Sequence, residues 1–541
     1  MKILTLCKPY LLSQKTSLMV YIVISLATAA IAILSPYIIG SFLDNLIEGA
    51  DRRYIFRFCL IFGGLSLLKI IKNYITSLMY VKMMSDMGYD LNMDAVKHIQ
   101  NLSLSYINNK DIAYLSQRVG SDSVSLIVFC ITVLQSILTN AVMLVVPFVI
   151  LLNINWFIAV LLMGFLAVYV FLYFAFSKTL YNANFTFREA QNKFFASMFE
   201  QLKYIKLIKV NSIQPEMKKR ADTGFANMRS AGIYNQKVSY MYSGLDGFIS
   251  ATAQIILFVV GGIQVLEGNF TIGMFTIFTS YFGMMLKSSR YFFGLGDSYQ
   301  STMVTHDRIK EILEQKPENC GALIADDINQ ISLRNVGFSY GDENAVENFN
   351  MSFQKNKIYA ISGANGAGKS TLISLIIGLY IDEYSGSITY DGNDIRNINM
   401  VSARKNLIGL AEQEPRLIMD SIGYNLGNVA DISETLNKHI RTLNMQGFIA
   451  KTGLDFQIND TVLSGGEKQK IAILKVLNKN PQVMIFDEPT SALDDATTKD
   501  FIDYLQSIKN DKIIILITHD EFVKNHCDDV VALQKSIIGG F

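Results

Sequence analysis

The sequence of 541 residues has little of several residue types that mark whole classes of protein. Its five cysteines are scattered, so they form neither a disulfide framework nor a metal-ligand spacing: Cys7, Cys59, Cys130, Cys320 and Cys527. The net charge of +1 lacks the basic excess of a protein whose main partner is nucleic acid. No small-residue cleavage pattern follows the first apolar segment, so we expect no cleavable signal peptide. These deficits exclude a secreted disulfide scaffold and disfavour nucleic acid as a partner.

Apolar residues, in contrast, are in excess. Half of the chain is hydrophobic and the mean hydropathy is +0.27, which is too apolar for an ordinary soluble protein. The excess is concentrated before about residue 300, where six apolar segments are long enough to cross a bilayer. These predicted spans are 17–39, 54–79, 124–152, 156–176, 241–266 and 270–286.

The connections between these segments differ in charge. The short connection 153–155 carries none, and 261–271 carries only Glu267. The longer segments 80–122 and 178–240 are rich in Lys and Arg, so the positive-inside rule places them, and both termini, in the cytoplasm. Their helical periodicity and scarcity of breakers predict that they extend the membrane helices into the cytosol, with turns near 103–111 and 210–216.

The pattern changes after residue 314. Residues 315–330, punctuated by Pro317 and Gly321, are the predicted linker. From residue 331 onward, short β-branched runs alternate with helices of about ten residues, which is typical of an α/β domain. We therefore predict a transmembrane domain over 1–314 and an α/β domain over 331–541.

A glycine-rich stretch is the most informative part of the second domain. Residues 363–370 fit the pattern G-x-x-x-x-G-K-[ST], between an apolar run and a helix-like run. In such a loop, backbone N–H groups and a helix N-terminus face phosphate oxygens. The lysine would reach the β- and γ-phosphates, and the serine would bind Mg²⁺. The candidate nucleotide-binding residues are Gly363, Ala364, Asn365, Gly366, Ala367, Gly368, Lys369, Ser370 and Thr371.

Three further elements supply what this loop lacks. An apolar run ends in Asp487, placed to hold Mg²⁺ through water, and Glu488, placed to polarise an attacking water; the alternative is a buried strand ending at a polar loop. His519 follows another apolar run, so it is either a structural histidine or a γ-phosphate contact in the crevice where α/β sheets bind ligands. Ser464, with Gly465 and Gly466, forms a second predicted anion nest at a helix start. One nucleotide does not easily need two nests from one chain, which indicates dimerisation.

With these motifs the chain resembles an ATP-binding-cassette (ABC) exporter half-transporter, in which a membrane domain is fused to a nucleotide-binding domain. The resemblance is carried by the phosphate loop, the Leu-Ser-Gly-Gly signature at 463–466, the Asp-Glu pair, the Ser-Ala-Leu-Asp segment at 491–494 and the histidine that follows. It implies an all-α six-helix transmembrane domain with long cytoplasmic extensions, followed by an α/β P-loop NTPase domain. It also implies ATP and Mg²⁺ as cofactors.

The resemblance further implies roles for individual residues. Tyr340 would stack on adenine, and Gln413 would sense Mg²⁺ and the attacking water. Ser464 and Gly466 would face the γ-phosphate bound by another chain, and the two cytoplasmic turns resemble coupling helices. The implied catalytic residues are Glu488, His519 and Gln413, and the implied metal-binding residues are Ser370, Gln413 and Asp487. The signature ends in Glu467 where glutamine is usual, and we expect activity to survive this departure.

The expected protein is a homodimer in the cell membrane, with pairing to a different chain left open. We expect it to export a hydrophobic or amphipathic substrate, most specifically a small antimicrobial or signal peptide. Two alternatives within the family are a flippase for lipids or lipid-linked sugars and a multidrug exporter. An alternative of another class is an ATP-gated channel or a drug-sensing membrane ATPase.

Charged residues in the membrane half suggest where a substrate binds. Lys69 and Lys72 share a helix face, Lys287 and Arg290 repeat that spacing, and Asp246 lies in the fifth span. A charge that faces lipid at the bilayer centre costs at least ~2.5–3.5 kcal/mol, so these groups should face protein or water. They either snorkel to the cytoplasmic surface or form a basic ring that attracts an anionic group, such as a peptide carboxylate or a lipid phosphate.

Overall fold

The computed structural model describes residues 2–110, 112–341, 343–459 and 462–533, without the side chains of residues 113, 114 and 297. The chain divides into two compact units. The first comprises Met1–Lys97 and Ile112–Glu314, and the second comprises His98–Asp111 and Gln315–Phe541. The segment around residue 103, which sequence analysis placed in the first domain, therefore groups with the second.

The described part of the first unit is helical, and its longest helices far exceed a bilayer. The 53 residues of the longest helix extend about 80 Å, against a hydrocarbon thickness of ~30 Å. This confirms the predicted continuous extensions. In the described part of the chain up to residue 313 the helices are α1 Lys2–Ser13, α2 Lys15–Ile47, α3 Arg52–Gln100, α4 Leu104–Asn108 (in the second unit), α5 Ile112–Gln117, α6 Ser123–Ile154 after a π-helical turn Arg118–Asp122, α7 Trp156–Lys203, α8 Ile205–Val210, α9 Gln214–Leu266 and α10 Ile272–Leu313.

Five stretches of the described residues are long and apolar enough to cross a membrane: Lys15–Ile47, Arg52–Gln100, Leu115–Ile154, Trp156–Lys203 and Gln214–Leu266. The sixth predicted span lies at the start of α10, which is not among them. Hydroxyl groups and Lys287 make α10 more polar, but Phe278, Tyr281 and Phe282 are buried against other helices. A helix surrounded largely by protein tolerates such groups better than one surrounded by lipid.

The start of α10 is fixed to the end of α2. The Asp44 carboxylate accepts hydrogen bonds of 2.7 Å from the Thr271 hydroxyl and of 2.7 Å from the Gly273 N–H. A carboxylate at a helix N-terminus is favourable because it satisfies N–H groups and complements the helix dipole. A Cβ on Gly273 would lie 2.1 Å from the Gly40 carbonyl oxygen, so this close approach requires glycine.

The described residues of the second unit form two sheets. An antiparallel sheet has the order β2-β1-β4-β5, and a parallel sheet has the order β6-β7-β8-β3-β9. The strands are β1 Gln330–Tyr340, β2 Glu343–Gln354, β3 Lys357–Ser362, β4 Ser385–Tyr390, β5 Asn393–Asp394, β6 Ile408–Ala411, β7 Val483–Asp487, β8 Ile513–Ile517 and β9 Asp529–Ala532. The helices are α11 Lys369–Ile376, α12 Met400–Asn406, α13 Ile422–Asn425, α14 Glu434–Thr442, α15 Gln446–Thr452, α16 Gly465–Lys479, α17 Asp495–Ile508 and α18 Glu521–Asn525, with a 3₁₀ turn at Ile395–Asn397.

The parallel sheet positions the functional loops. Every residue of β7 and β8 is buried, because both faces of the sheet are covered by other elements. This explains why the two strands read as unbroken apolar runs in the sequence. Since the strands are parallel, the loops after β3, β7 and β8 all leave the same edge of the sheet.

The predicted linker is held against the second unit. The guanidinium of Arg404 donates to both carboxylate oxygens of Glu318, at 2.8 and 3.1 Å. The N–H of Glu318 also donates to the carbonyl oxygen of Asn101, and Leu102 forms a short antiparallel bridge with Pro317. The chain entering β1 and the segment before α4 are therefore fixed together.

We expect the second unit to lose stability as the pH falls below about 6.5, the ordinary value for histidine. His439 is 2% exposed, and its Nε2 lies 2.8 Å from the Tyr504 hydroxyl. Burial, with a smaller effect from the Lys438 charge, lowers the pKa of His439. Between the two pKa values the unfolded chain binds a proton and the folded chain does not. The contribution of neutral His439 to the free energy of unfolding is therefore fully present above its pKa in the unfolded chain. It declines as the pH falls towards the pKa of His439 in the folded chain.

The measurement is the thermal unfolding midpoint in nanodiscs at about pH 5.5 and about pH 7.5, on either side of the ordinary histidine pKa. The His439→Gln variant should show a smaller difference between the two midpoints than wild type. The exposed His526 provides a matched control, since His526→Gln should keep the wild-type difference. An unchanged difference in His439→Gln would contradict this origin of the pH dependence.

Candidate nucleotide-binding site

A cavity of about 620 Å³ lies at the edge of the parallel sheet where β3, β7 and β8 end. Most of the residues predicted from the sequence for a nucleotide site line it. The full lining is Tyr340, Glu343, Asn344, Ala345, Asn365, Gly366, Ala367, Gly368, Lys369, Ser370, Thr371, Gln413, Asp487, Glu488 and His519. The structure thus brings together residues that lie up to 179 positions apart in the sequence.

The loop after β3 encloses the Lys369 ammonium. Its Nζ donates to the carbonyl oxygens of Gly363, at 2.6 Å, and Ala364, at 3.3 Å, and lies 3.0 Å from His519 Nε2. An ammonium group only donates, so His519 Nε2 is the acceptor and the imidazole is neutral. Lys369 is 9% exposed and forms no ion pair among the described residues. A largely buried cation with no carboxylate within ion-pair distance among the described residues favours the approach of an anion.

Glycine is required where this loop turns into α11. Gly368 has a φ of 87°, in the left-handed region that a side chain disfavours. A Cβ there would also lie 2.1 Å from the carbonyl oxygen of Ala345. The loop therefore turns tightly enough to aim the N-terminus of α11 into the cavity.

Hard oxygen donors meet beside the ammonium. The Ser370 hydroxyl donates to Asp487 Oδ2 at 3.2 Å. Burial raises the pKa of Asp487, and the hydrogen bond from Ser370 opposes this effect. Among the described residues no group of three His, Cys, Asp or Glu side chains could hold a metal ion. Mg²⁺, however, usually takes only one or two protein oxygens and completes its shell with phosphates and waters, so this donor set fits it.

Glu488 is held from three sides. Its N–H donates to the Ile517 carbonyl at 2.9 Å, and its Oε2 accepts from Gln413 Nε2 at 2.7 Å. Its backbone has a φ of 46°, a conformation that costs a non-glycine residue of order 1–3 kcal/mol. Gln469, which sequence analysis missed, donates from Nε2 to the Glu488 carbonyl at 2.8 Å. Gln469 is 3% exposed, and a buried glutamine among the apolar residues of α16 was the available signal.

A chain of polar groups links Tyr340 to α4. The Tyr340 hydroxyl lies 3.4 Å from Thr371 Oγ1 and donates to the Tyr380 hydroxyl at 3.3 Å. Tyr380 also accepts from Asn108 Nδ2 at 3.3 Å. The sequence pattern pointed to Tyr340 and to the turn near 103–111, but it gave no signal for Tyr380, which is 3% exposed.

The signature residues are placed apart from the cavity lining. Ser464 and Gly465 are exposed at the N-terminus of α16. Ser464 and Glu467 form a capping box, in which the Ser464 hydroxyl accepts from the Glu467 N–H and Glu467 Oε2 accepts from the Ser464 N–H at 2.8 Å. The glutamate at this position therefore stabilises the start of the helix. Ser464, Gly465 and Gly466 together form a helix N-terminus that faces solvent and can bind an anion.

Residues 18–289 match the family described as ABC transporter transmembrane region, and residues 346–491 match the family described as ABC transporter. The chain belongs to the ABC transporter family. It is a membrane protein whose cassette hydrolyses ATP, coupled to transport. Its two fused domains are those of an exporter half-transporter, a fold that suggests dimerisation.

Two curated relatives and one solved structure illustrate the similarity. "ABC transporter B family member 1" of Dictyostelium discoideum is 28% identical over 82% of this chain and 51% of that protein, so this chain spans about half of its length. "Lactococcin-G-processing and transport ATP-binding protein LagD" of Lactococcus lactis is 24% identical over 98% of this chain and 76% of that protein. "Structure of a bacterial Atm1-family ABC exporter with ATP bound" has a TM-score of 0.81 at 19% identity and covers 96% of this chain and 95% of that one, which confirms the fold.

We predict that Tyr380→Phe raises the KM for ATP about fivefold. The substitution keeps the ring, but it leaves the Tyr340 hydroxyl and the Asn108 amide without their shared partner, a loss of roughly 1 kcal/mol. Steady-state hydrolysis in nanodiscs measures the effect. The matched control is Tyr384→Phe, because Tyr384 is also buried and hydrogen-bonded, to Arg396, but it bonds no residue that lines the cavity. Equal effects of both variants would show that the polar chain does not position the nucleotide site.

Proposed function

We propose that the chain is a homodimeric exporter, driven by ATP, of a small peptide or similar amphipathic substrate. The observation that carries the ATP part is the buried Lys369 ammonium, which has no carboxylate partner among the described residues and lies at a helix N-terminus. Nucleotide phosphates supply the missing negative charge.

The cavity residues that were predicted from the sequence then have the following roles. Lys369 binds the β- and γ-phosphates, the loop 363–371 surrounds them with N–H groups, and Tyr340 stacks on adenine. Ser370, Asp487 and Gln413 hold Mg²⁺ directly or through water, and the ion would offset charge on the phosphates. Because burial raises the pKa of Asp487, a nearby cation favours its ionised form.

Glu488 is the proposed general base. Gln413 fixes its carboxylate, and Gln469 fixes its backbone, so the side chain is held in one orientation. The neutral His519 imidazole, once Lys369 turns to the phosphates, can donate or accept at the γ-phosphate. Hydrolysis then requires only a water between Glu488 and that phosphate.

The exposed signature supports a dimer. Ser464, Gly465 and Gly466 do not line the cavity of their own chain, yet they form a second anion-binding helix start. Two copies arranged head to tail would place each signature against the γ-phosphate in the other copy's cavity. Two identical copies would give two complete sites, since every position implied to contact ATP is present. We therefore favour a homodimer over a mixed pair.

The cytoplasmic turns are the proposed couplers. The polar chain Asn108–Tyr380–Tyr340 joins α4 to the cassette, and α8 exposes Leu207 and Val210 at the second turn. Closure of two cassettes on ATP would move these turns, and the long helices would carry the movement across the membrane. In this proposal the cassettes and both termini lie in the cytoplasm, as the charge of the connections predicts.

A peptide is our preferred cargo, and the relative named for lactococcin G transport supports it. Flipping of a lipid or lipid-linked sugar and export of drugs remain the alternatives within the family. Uptake into inverted vesicles distinguishes a pump from the channel alternative. A pump accumulates substrate against a gradient with ATP, whereas a channel shows only passive conductance gated by ATP.

We predict that Glu488→Gln lowers the rate of ATP hydrolysis by about 100-fold or more, because general-base catalysis typically contributes 10²–10⁴-fold. ATP binding should stay within a few-fold of wild type, since the amide keeps the size of the side chain. Hydrolysis and equilibrium ATP binding are measured on the same nanodisc preparation. Glu412→Gln is the control, because Glu412 is exposed beside Gln413 and does not line the cavity. Retained hydrolysis in Glu488→Gln would contradict the assigned role.

A further inference from the structure

We propose that a polar chamber in the membrane unit binds the anionic head of the exported substrate, with Lys287 as its counter-charge. This inference rests on the proposed function, because it names the chemistry of the substrate for that transport. The chamber has a volume of about 560 Å³ and is lined by residues of α2, α3, α6 and α10.

The lining is unusually polar for its position. Eleven of the fourteen lining residues carry a hydroxyl or amide group, two are apolar, and one, Lys287, is charged. All but Tyr80 and Lys287 lie within the predicted spans, and these two lie just beyond their ends. Polar groups within membrane spans are rare and usually mark a pathway or site for a polar ligand. A purely apolar substrate would offer these polar groups no hydrogen-bond partner.

Five hydroxyl groups of the chamber are oriented as acceptors, those of Ser25, Thr28, Thr76, Thr132 and Thr139. Ser25 donates its proton to the Tyr21 carbonyl at 2.8 Å, Thr76 to Lys72 at 2.9 Å, and Thr132 to Val128 at 2.7 Å. These hydrogen bonds within each helix occupy the hydroxyl protons and leave oxygen lone pairs for a ligand. The chamber therefore matches a ligand that offers several N–H or O–H donors.

The charge at the chamber comes from Lys287. In the described part of the chain, Lys287 forms no hydrogen bond or ion pair, and no carboxylate lines the chamber. Arg290, three residues further along, differs because its Nη2 lies 2.8 Å from Asp246 Oδ2. Lys69 and Lys72 do not line the chamber. The four basic residues noted in the sequence thus do not act alike, and only Lys287 faces this ligand space with its charge unbalanced.

The two features together define one ligand chemistry. An anionic group opposite Lys287 gains a charge-assisted hydrogen bond, and neighbouring donors satisfy the hydroxyl and amide oxygens. A peptide end, with its carboxylate and backbone N–H groups, has this pattern, and so does a phosphate attached to a hydroxylated head group. A neutral apolar drug does not, because it leaves the ammonium without a counter-charge.

The test is ligand binding to nanodisc-embedded protein without nucleotide, corrected with empty nanodiscs. The probes are a dansylated leucine-alanine hexapeptide with a free C-terminal carboxylate, the same peptide with a C-terminal amide, and decyl phosphate as a competitor. Wild type should bind the carboxylate peptide or decyl phosphate at least about tenfold more tightly than the amide, as expected for a charge-assisted hydrogen bond. Decyl phosphate competing better than the acid peptide identifies a phosphate head, and the reverse identifies a peptide carboxylate.

Three variants locate the effect. Lys287→Gln should reduce the preference for the anionic probe to about one, whereas Lys287→Arg should keep it, because the positive charge is retained. Lys69→Gln, the control elsewhere in the membrane unit, should also keep it. Equal wild-type binding of the acid and the amide, absence of saturable binding by both anionic probes, or an undiminished preference in Lys287→Gln would overturn the proposal. If Lys287→Gln does not fold, the wild-type comparison decides alone.

The assay also separates this inference from the proposed function. Binding is measured without ATP, so retained hydrolysis in Glu488→Gln would contradict the catalytic role without altering the probe preference. Conversely, a wild-type protein that hydrolyses ATP through Glu488 but binds acid and amide equally would leave the ATP-driven mechanism in place and overturn only the substrate chemistry.

Discussion

The cassette depends on one electrostatic constraint: a buried ammonium that is held by neutral acceptors and forms no ion pair with any described residue. Two loop carbonyls and a neutral imidazole hold Lys369 in place, and none of the described residues supplies a carboxylate to it. Because an uncompensated buried charge is unfavourable, the binding of phosphates at this site gains favourable electrostatic free energy. The left-handed turn at Gly368, the parallel strands and the buried Asp487 all serve to present that charge to one cavity.

The groups around this charge are of two kinds: some are fixed by contacts with other parts of the protein, and others are exposed or unpaired. Buried β7 and β8 fix Glu488 and His519 at the sheet edge, and Gln469 fixes the strained Glu488 backbone from the signature helix. The signature itself stays exposed at the start of α16. In the membrane unit the contrast is similar: Arg290 is balanced by Asp246, whereas Lys287 faces a chamber of hydroxyl oxygens with its charge unbalanced. The fixed groups set the positions of the functional side chains, whereas the exposed signature and Lys287 are available to a second copy or to a ligand.

The sequence predicted the fold class and most of the cavity because those signals are local. Gly368, Lys369 and Ser370 lie in one contiguous motif, and β7 and β8 are continuous apolar runs. What it missed depends on contacts between distant segments. Tyr380 matters only because Asn108 and Tyr340 converge on it, 272 and 40 positions away. The sixth predicted span lies in α10, which is not among the five stretches that are apolar enough to cross a membrane, and its aromatic residues are buried against other helices. Arg290 forms an ion pair and Lys287 does not, because only Arg290 lies next to Asp246 on another helix. The spacing of the two residues in the sequence could not show this difference.

The central claim is that each ATP site combines the phosphate loop of one copy with the signature of another, and complementation tests it directly. Lys369→Ala disables the loop, and Ser464→Asp keeps a good helix cap but places a negative charge where a γ-phosphate would bind. Each variant alone should be inactive. Co-assembled in equal amounts, they should regain about a quarter of the wild-type ATPase rate, because half of the random pairs are mixed and each mixed pair has one intact site of two. A mixture no more active than the separate variants would contradict the account.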